Sequence, residues 1–272
     1  MYKMKELNTK EIKEEGIRIL KSVHDFCTEN KMRYSLFYGT LLGAIRHNGY
    51  IPWDDDIDIV MPREDYERFI TKFGDSEFGV MTCYNNKYYY LPYAKVYSKD
   101  TLKKENIKTN KKYSIGFNID IFPLDLFSTK EGFDAAKQKE RKLLKRLNIS
   151  IFPQKIRSFK ELLVGIISVL FWTFRKYNKY SKKIDSFFLN YDRKNAEKNF
   201  YVGNGTYEYK AELIFSNKLF DNLIYHKFEN CEFLITSDYD SALRQVYGDY
   251  MSLPSKEEQV THHSFVAFKR EN

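Results

Sequence analysis

The sequence predicts an α+β chain, a mixed sheet flanked by helices with a helical insertion in its middle. Three observations predict it. Apolar residues recur at helical spacing from Ile12 to Cys27. Short β-branched runs with a period of two stand at Ile57–Val60 and Ile115–Ile121, as strands require. From about residue 131 the pattern turns back to helix, strongly basic and interrupted by one uncharged stretch.

The elements follow in order. Asn8 or Thr9 can cap a first helix whose apolar face is Ile12, Gly16, Ile19, Leu20, Val23, Phe26 and Cys27. Tyr34–Phe37 reads as a short strand, Gly39-Thr40 as a turn and Leu41–Arg46 as a short helix. Arg63–Phe73 is predicted as a helix after Pro62. Phe78–Tyr84 and Tyr93–Tyr97 read as strands around an Asn85-Asn86-Lys87 turn. Lys103–Lys112 is polar and reads as a loop, Ser114–Phe122 as a strand, and Asp125 as a cap or turn residue after Pro123. Helices are predicted over 131–147 and 178–195, a turn at Gly203-Asn204-Gly205 and short strands within Phe215–Phe233. A last helix is capped by Ser237 and stopped by Gly248.

The chemistry concentrates at Asp54-Asp55-Asp56-Ile57-Asp58. Crowded carboxylates raise one another's pKa and resist burial, yet this run leads straight into Ile57, Ile59 and Val60. If the strand begins within the run, Asp56 and Asp58 share one face and the isoleucines the other. Two carboxylates on a buried strand need a cation, and hard oxygen donors suit Mg2+ or Mn2+. A calcium-binding loop is excluded, because its sixth position would be Ile59 rather than Gly and its twelfth Asp65 rather than Glu. Asp120 stands between two isoleucines on a second strand and is the candidate third ligand. A strand–turn–helix over Tyr34–Arg46 offers phosphate the free N–H groups of a helix start, at Gly39 and Thr40. Arg46 and His47 lie at that helix's end and can add positive charge. Phosphate beside a carboxylate-held metal points to phosphoryl or nucleotidyl transfer.

Gly39–Ala44 (GTLLGA), followed by Pro52–Asp58 (PWDDDID), resembles the hallmark of the LicD family. The likeness continues at Ile119–Asp125, at Tyr247–Met251 and at His262-His263, so it touches about three quarters of the chain. The resemblance implies a nucleotidyltransferase-like fold in one catalytic domain over 1–272, with its core at 30–128 and 200–272 and a helical region at 130–195. It implies a metal-dependent phosphotransferase moving phosphocholine, or a related phospho-alcohol, from CDP-choline or another CDP-alcohol. The acceptor would be a sugar hydroxyl of a cell-surface glycan precursor (teichoic acid, lipopolysaccharide or capsule), and CMP would leave. Asp56, Asp58 and Asp120 would be catalytic and metal-binding. Gly39, Thr40, Arg46 and His47 would hold phosphate or nucleotide. Asp54, Asp55, Asp249, His262 and His263 would support them. A nucleotidyltransferase moving a nucleoside monophosphate to a small molecule or protein stays open as the alternative, and a catalytically silent scaffold is a third reading.

Composition bounds partners. The 22 Tyr and 22 Phe exclude a disordered chain. Three widely spaced cysteines fit no zinc site and suit a reducing compartment, and the polar N-terminal stretch does not read as a secretory signal, so a cytoplasmic location is expected. The net charge of +8 is local: residues 130–183 hold fifteen Lys and Arg against four Asp and Glu. Nucleic acid or an anionic membrane could face such a patch. Residues 162–174 are uncharged, too short to span a bilayer, flanked by basic residues and end near Trp172, so they are either buried in the protein or inserted at a membrane interface. The expectation is peripheral contact with the inner face of the cytoplasmic membrane, near a lipid-linked acceptor, with no nucleic acid bound.

Overall fold

The computed structural model describes residues 3–105, 114–151, 178–195, 201–203, 214–261 and 265–271. Strand β1 (Met4–Glu6) precedes helix α1 (Thr9–Glu29). Asn8 caps this helix reciprocally: its side chain accepts from the Glu11 N–H, and Glu11 accepts from the Asn8 N–H. This satisfies two backbone donors that the helix start leaves over. Its buried face contains Gly16, Ile19, Leu20, Val23 and Cys27, as the spacing predicts.

Strand β2 (Ser35–Leu36), helix α2 (Tyr38–His47), strand β3 (Asp58–Pro62) and helix α3 (Arg63–Lys72) follow. Next come β4 (Phe78–Met81), β5 (Ala94–Ser98), β6 (Thr101–Glu105), β7 (Asn118–Phe127) and the helices α4 (Lys130–Ile151) and α5 (Asn178–Asn195). The chain ends with β8 (Tyr201–Gly203), β9 (Ile214–Ser216), the hairpin β10 (Leu223–Phe228) and β11 (Cys231–Thr236), helix α6 (Tyr239–Tyr247) and β12 (Phe265–Arg270). The α+β expectation holds.

The main sheet runs β2-β3-β7-β5-β4, with β8 and β9 added at the far end of β7. Among the described residues of this sheet only β3 and β7 pair in parallel; the other pairs are antiparallel. A small sheet, β1-β12-β6, brings residues from both ends of the described chain together. β7 is the central strand, with Ile119, Ile121, Phe122 and Leu124 buried in the main core. A second apolar cluster, Phe127, Phe133, Ala136, Ile184 and Phe188, seats α4 and α5 against the end of β7.

Several expectations need correcting. Gly39 and Thr40 are not a turn: α2 is already helical at Tyr38. Residues 51–57 are irregular, and β3 begins only at Asp58, so Asp56 precedes the strand rather than alternating within it. Thr101–Glu105 is a strand, because its partner β12 comes from far along the sequence. β7 does not stop at Phe122 but runs through Pro123 to Phe127. On that edge β5 pairs only as far as Ile121 and β8 begins at Asp125, so the proline's missing donor falls in the gap between them. Asp125 is therefore neither cap nor turn but a buried strand residue facing Arg63. Gly205, the stretch 162–174, and His262 and His263 lie outside the described residues.

Candidate active site

The parallel pairing of β3 with β7 sets Asp58 directly beside Asp120. Their backbones are tied as well: the Asp120 N–H donates to the Ile57 carbonyl (2.9 Å) and the Phe37 N–H to the Asp58 carbonyl (3.0 Å). Thr40 Oγ1 accepts from the Asp58 N–H (2.8 Å). The buried threonine hydroxyl thus anchors the strand's first residue to the first turn of α2. On the other side of β7, Lys95 of β5 is the register partner of Asp120, and its ammonium donates to the Asp120 carboxylate.

These residues open onto a cavity of about 760 Å3. Gly39, Arg46, Asp54, Asp56, Asp58, Asp120 and Asp249 all line it, together with Lys95, Lys103 and Asn118. Aromatic walls come from Tyr38, Trp53, Tyr90, Tyr93, Tyr247, Tyr250 and Phe265. At the helix start Phe37 supplies no side-chain cap, and Tyr38 holds the uncommon left-handed conformation (φ 47°). Edge contacts to Phe37 and Phe122 pack its ring. A Cβ on Gly39 would stand 2.8 Å from Asp54 Oδ2, so glycine lets that carboxylate lie against the helix start, where the dipole favours negative charge. A Cβ on Gly43 would meet the Gly49 carbonyl at 2.4 Å, so this glycine lets the helix pack on the loop leading into the acidic run.

The other predicted residues fall as follows. Arg46 lines the cavity from the last turn of α2, but its Nη1 donates to the carbonyls of Tyr250 (2.8 Å) and Ser252 (3.3 Å) and its Nε to His47 Nε2. It clasps the Tyr247–Ser252 segment to α2, at the opposite end of the helix from Gly39. His47 is not among the lining residues and meets Trp53 edge-on. Burial and the Arg46 charge hold its imidazole pKa below the ordinary value. Asp55 does not line the cavity, and its N–H donates to Asp54 Oδ1. The Asp249 carboxylate accepts from the Ser252 hydroxyl.

Sequence reasoning missed Lys95, Lys103 and Asn118. Lys95 stands between Ala94 and Val96, but its meaning lies in a register partner 25 positions along the chain, and Lys103 sits in a polar run beside Lys104 and Glu105. A cation on the inward side of such a strand faces either an acid or a ligand.

A sequence model described as the LicD/FKTN/FKRP nucleotidyltransferase domain matches residues 31–166. The chain belongs to the LicD family. It is 29% identical over 262 residues, covering 96% of this chain and 97% of the relative, to the lipopolysaccharide cholinephosphotransferase LicD of Haemophilus influenzae. Shorter matches reach uncharacterized proteins of Rickettsia typhi (46% over 52 residues, 19% of this chain and 17% of that one) and Rickettsia prowazekii (48% over 48 residues, 18% of each).

In this LicD-family site the acids crowd one another. The Asp58 carboxyl is pushed well above the usual range by burial and by Asp56, Asp120 and Asp54, with Lys95 opposing. The donors are all carboxylate oxygens, which suit Mg2+ or Mn2+ rather than zinc. Among the described residues no three His, Cys, Asp or Glu side chains stand ready-made as a metal-holding group. Lys95 is ion-paired with the Asp120 carboxylate. By charge and donor type the acids fit a hard divalent ion, provided Lys95 yields Asp120.

Proposed function

We propose that this LicD-family chain transfers phosphocholine, or a related phospho-alcohol, from a CDP-linked donor to a sugar hydroxyl of a cell-surface glycan precursor, releasing CMP. The observation that carries this reading is the register of Asp58 beside Asp120 on the floor of a cavity. A relative that aligns with nearly the whole chain is named as a lipopolysaccharide cholinephosphotransferase, which supports the transferred group and the acceptor class.

Asp56, Asp58 and Asp120 are the residues that would hold Mg2+ or Mn2+. The bound ion would neutralise the diphosphate and align the attacking and leaving oxygens. The acceptor hydroxyl attacks the phosphorus that bears choline; the new O–P bond forms as the bridging P–O bond to CMP breaks. Asp120 would accept the hydroxyl proton. Lys95, once released from Asp120, puts a positive charge at the site where phosphate oxygens gather. The uncapped start of α2, at Gly39, offers backbone N–H groups to the donor's phosphates. Arg46 acts by holding the Tyr247–Ser252 wall rather than by touching phosphate.

The acceptor is proposed to be lipid-linked and met at the inner face of the cytoplasmic membrane, approached by the basic middle region. A donor screen tests the transfer: CDP-choline, CDP-glycerol, CDP-ribitol, CDP-ethanolamine and CTP, scored by nucleotide product. CMP release from a CDP-alcohol in the presence of Mg2+ is the expected result. Pyrophosphate from CTP, with no CMP from any CDP-alcohol, would move the chain to the nucleotidyltransferase reading.

A further inference from the structure

Among the described residues three basic side chains line the cavity: Arg46, Lys95 and Lys103. Arg46 donates to the Tyr250 and Ser252 carbonyls, and Lys95 is ion-paired with Asp120. Lys103 makes neither kind of contact. Its ammonium lies 4.2 Å from the centre of the Phe265 ring and 5.6 Å from that of Phe117, and no carboxylate or carbonyl among the described residues pairs with it. Aromatic faces hold a cation in place without neutralising it, and they offer its N–H donors no oxygen.

The fold explains the position. Lys103 and Glu105 are two apart on β6, and Glu105 pairs with Phe265 of β12, so all three project from one face of the small sheet. All three line the cavity. Lys103 is half-buried there. Burial lowers its pKa, with Lys95 adding to this and Asp120, Glu105 and Asp56 opposing. The cation thus stands within electrostatic reach of acids that would hold the metal, yet is bonded to none of them. A charge drawn out of water without a counter-ion is costly, and in folded chains it ordinarily meets one.

We propose that Lys103 is a further substrate-binding residue, whose ammonium donates to a phosphate oxygen of the CDP-linked donor. This inference rests on the transfer reading above, which brings a diphosphate into the cavity. Of the three cations, Lys103 can take up an anion without first giving up a hydrogen-bonded or ion-paired partner. It therefore engages the donor while Lys95 is still on Asp120.

Binding measurements on the full chain test it. Titration calorimetry in Mg2+ gives dissociation constants for CMP and phosphocholine, which carry a phosphate, and for cytidine and choline, which do not. Lys103→Met keeps an unbranched side chain that can still lie on the two phenyl rings. It should weaken CMP or phosphocholine by about thirtyfold, the scale of a hydrogen bond between charged groups. Cytidine and choline should bind it as they bind the wild type. Which of the two phosphate-bearing probes suffers tells whether Lys103 holds the nucleotide's phosphate or the transferred one. Lys103→Arg keeps a charged donor and should stay within about threefold of the wild type on both. Lys103→Gln is read by the same criterion as Lys103→Met if the methionine variant fails to fold.

A lysine present only to pack on Phe117 and Phe265 would give a different pattern. Unchanged affinity for both phosphate-bearing probes overturns the proposal, and so does an equal loss on all four. Either result leaves the transfer reading standing. A wild type that binds none of the four and releases no CMP from any CDP-alcohol removes the transfer reading, and this inference falls with it.

Discussion

Burial and the neighbouring acids Asp56, Asp120 and Asp54 push the Asp58 carboxyl well above the usual range. The Asp58 backbone is held by Thr40 and Phe37, which fixes the residue beside Asp120 in the sheet. Replacing Asp58 or Asp120 with Ala should lower metal-dependent CMP release by about three orders of magnitude, the scale seen when a group organising transition-state charge is lost. EDTA should do the same to the wild type; full activity in any of the three samples would remove the metal assignment. Lys95 makes a sharper test, because the ion pair places it in competition with the metal for Asp120. Lys95→Met should tighten Mn2+ binding by about tenfold, worth ~1.4 kcal/mol, while slowing transfer. Titration calorimetry on the donor-free protein reads the first effect, and weaker Mn2+ binding in the variant would show that Lys95 supports the ion rather than competing with it. The three acids were legible in the sequence because carboxylates next to β-branched residues are a local contradiction. Lys95 was not, because its meaning depends on a register partner 25 positions along the chain.

At the scale of elements, the unexpected feature is a buried ion network that joins α3, β7 and α5. Arg63 Nε and Nη2 donate to the two oxygens of Asp125 (2.6 and 2.9 Å), and Nη1 donates to Asp185 (2.7 Å). Asp185 also accepts from the Tyr84 hydroxyl at 2.7 Å. All three charged residues are at most 2% exposed. Asp125 and Asp185 hold the guanidinium charged, raising its pKa against the opposing cost of burial. Such a network is weak evidence of net stability, yet removing one member strands the others. Asp185→Ala should therefore cost about 3 kcal/mol in urea unfolding, at the low end for a buried pair because Asp125 still holds Arg63. A loss below roughly 1 kcal/mol would mean that water or Glu67 replaces the lost partner. The sequence hid this arrangement for a physical reason: Asp125 follows Pro123, and a proline–aspartate pattern ordinarily marks a turn. Here the strand passes through the proline where no neighbour needs its N–H. Thr101–Glu105 was missed likewise, since a polar strand shows no apolar alternation when its place is fixed by pairing with β12.

Over the whole molecule, the helices were read well because their signals are local. Asn8 caps α1, Gly248 stops α6, and α5 spans 178–195 as its apolar spacing predicts, but Ser237 does not cap α6, whose N-cap is Asp238 with no side-chain hydrogen bond. Sheet order was not readable, because pairing between distant strands leaves no mark on either one alone. The division of charge is the remaining molecular property: Asp54, Asp56, Asp58, Asp120 and Asp249 gather at the cavity while the excess of Lys and Arg lies in residues 130–183. Among the described residues no helix is long and apolar enough to cross a membrane. Residues 162–174 lie outside them, so the argument there rests on composition: an uncharged run between basic flanks, with Trp172 near its end. If this stretch meets lipid, the chain should sediment with vesicles containing phosphatidylserine and stay in solution with neutral ones. Each basic residue near an anionic surface contributes about 1 kcal/mol, and raising salt should weaken that share. Replacing Ile166, Leu170 and Trp172 together with Ser removes the apolar share and should abolish sedimentation, with CMP release from soluble donor retained. Unchanged sedimentation of that variant would place the stretch in the protein interior and leave the basic residues as the sole membrane contact. Loss of fold in the variant, read by its melting transition, would place it there too.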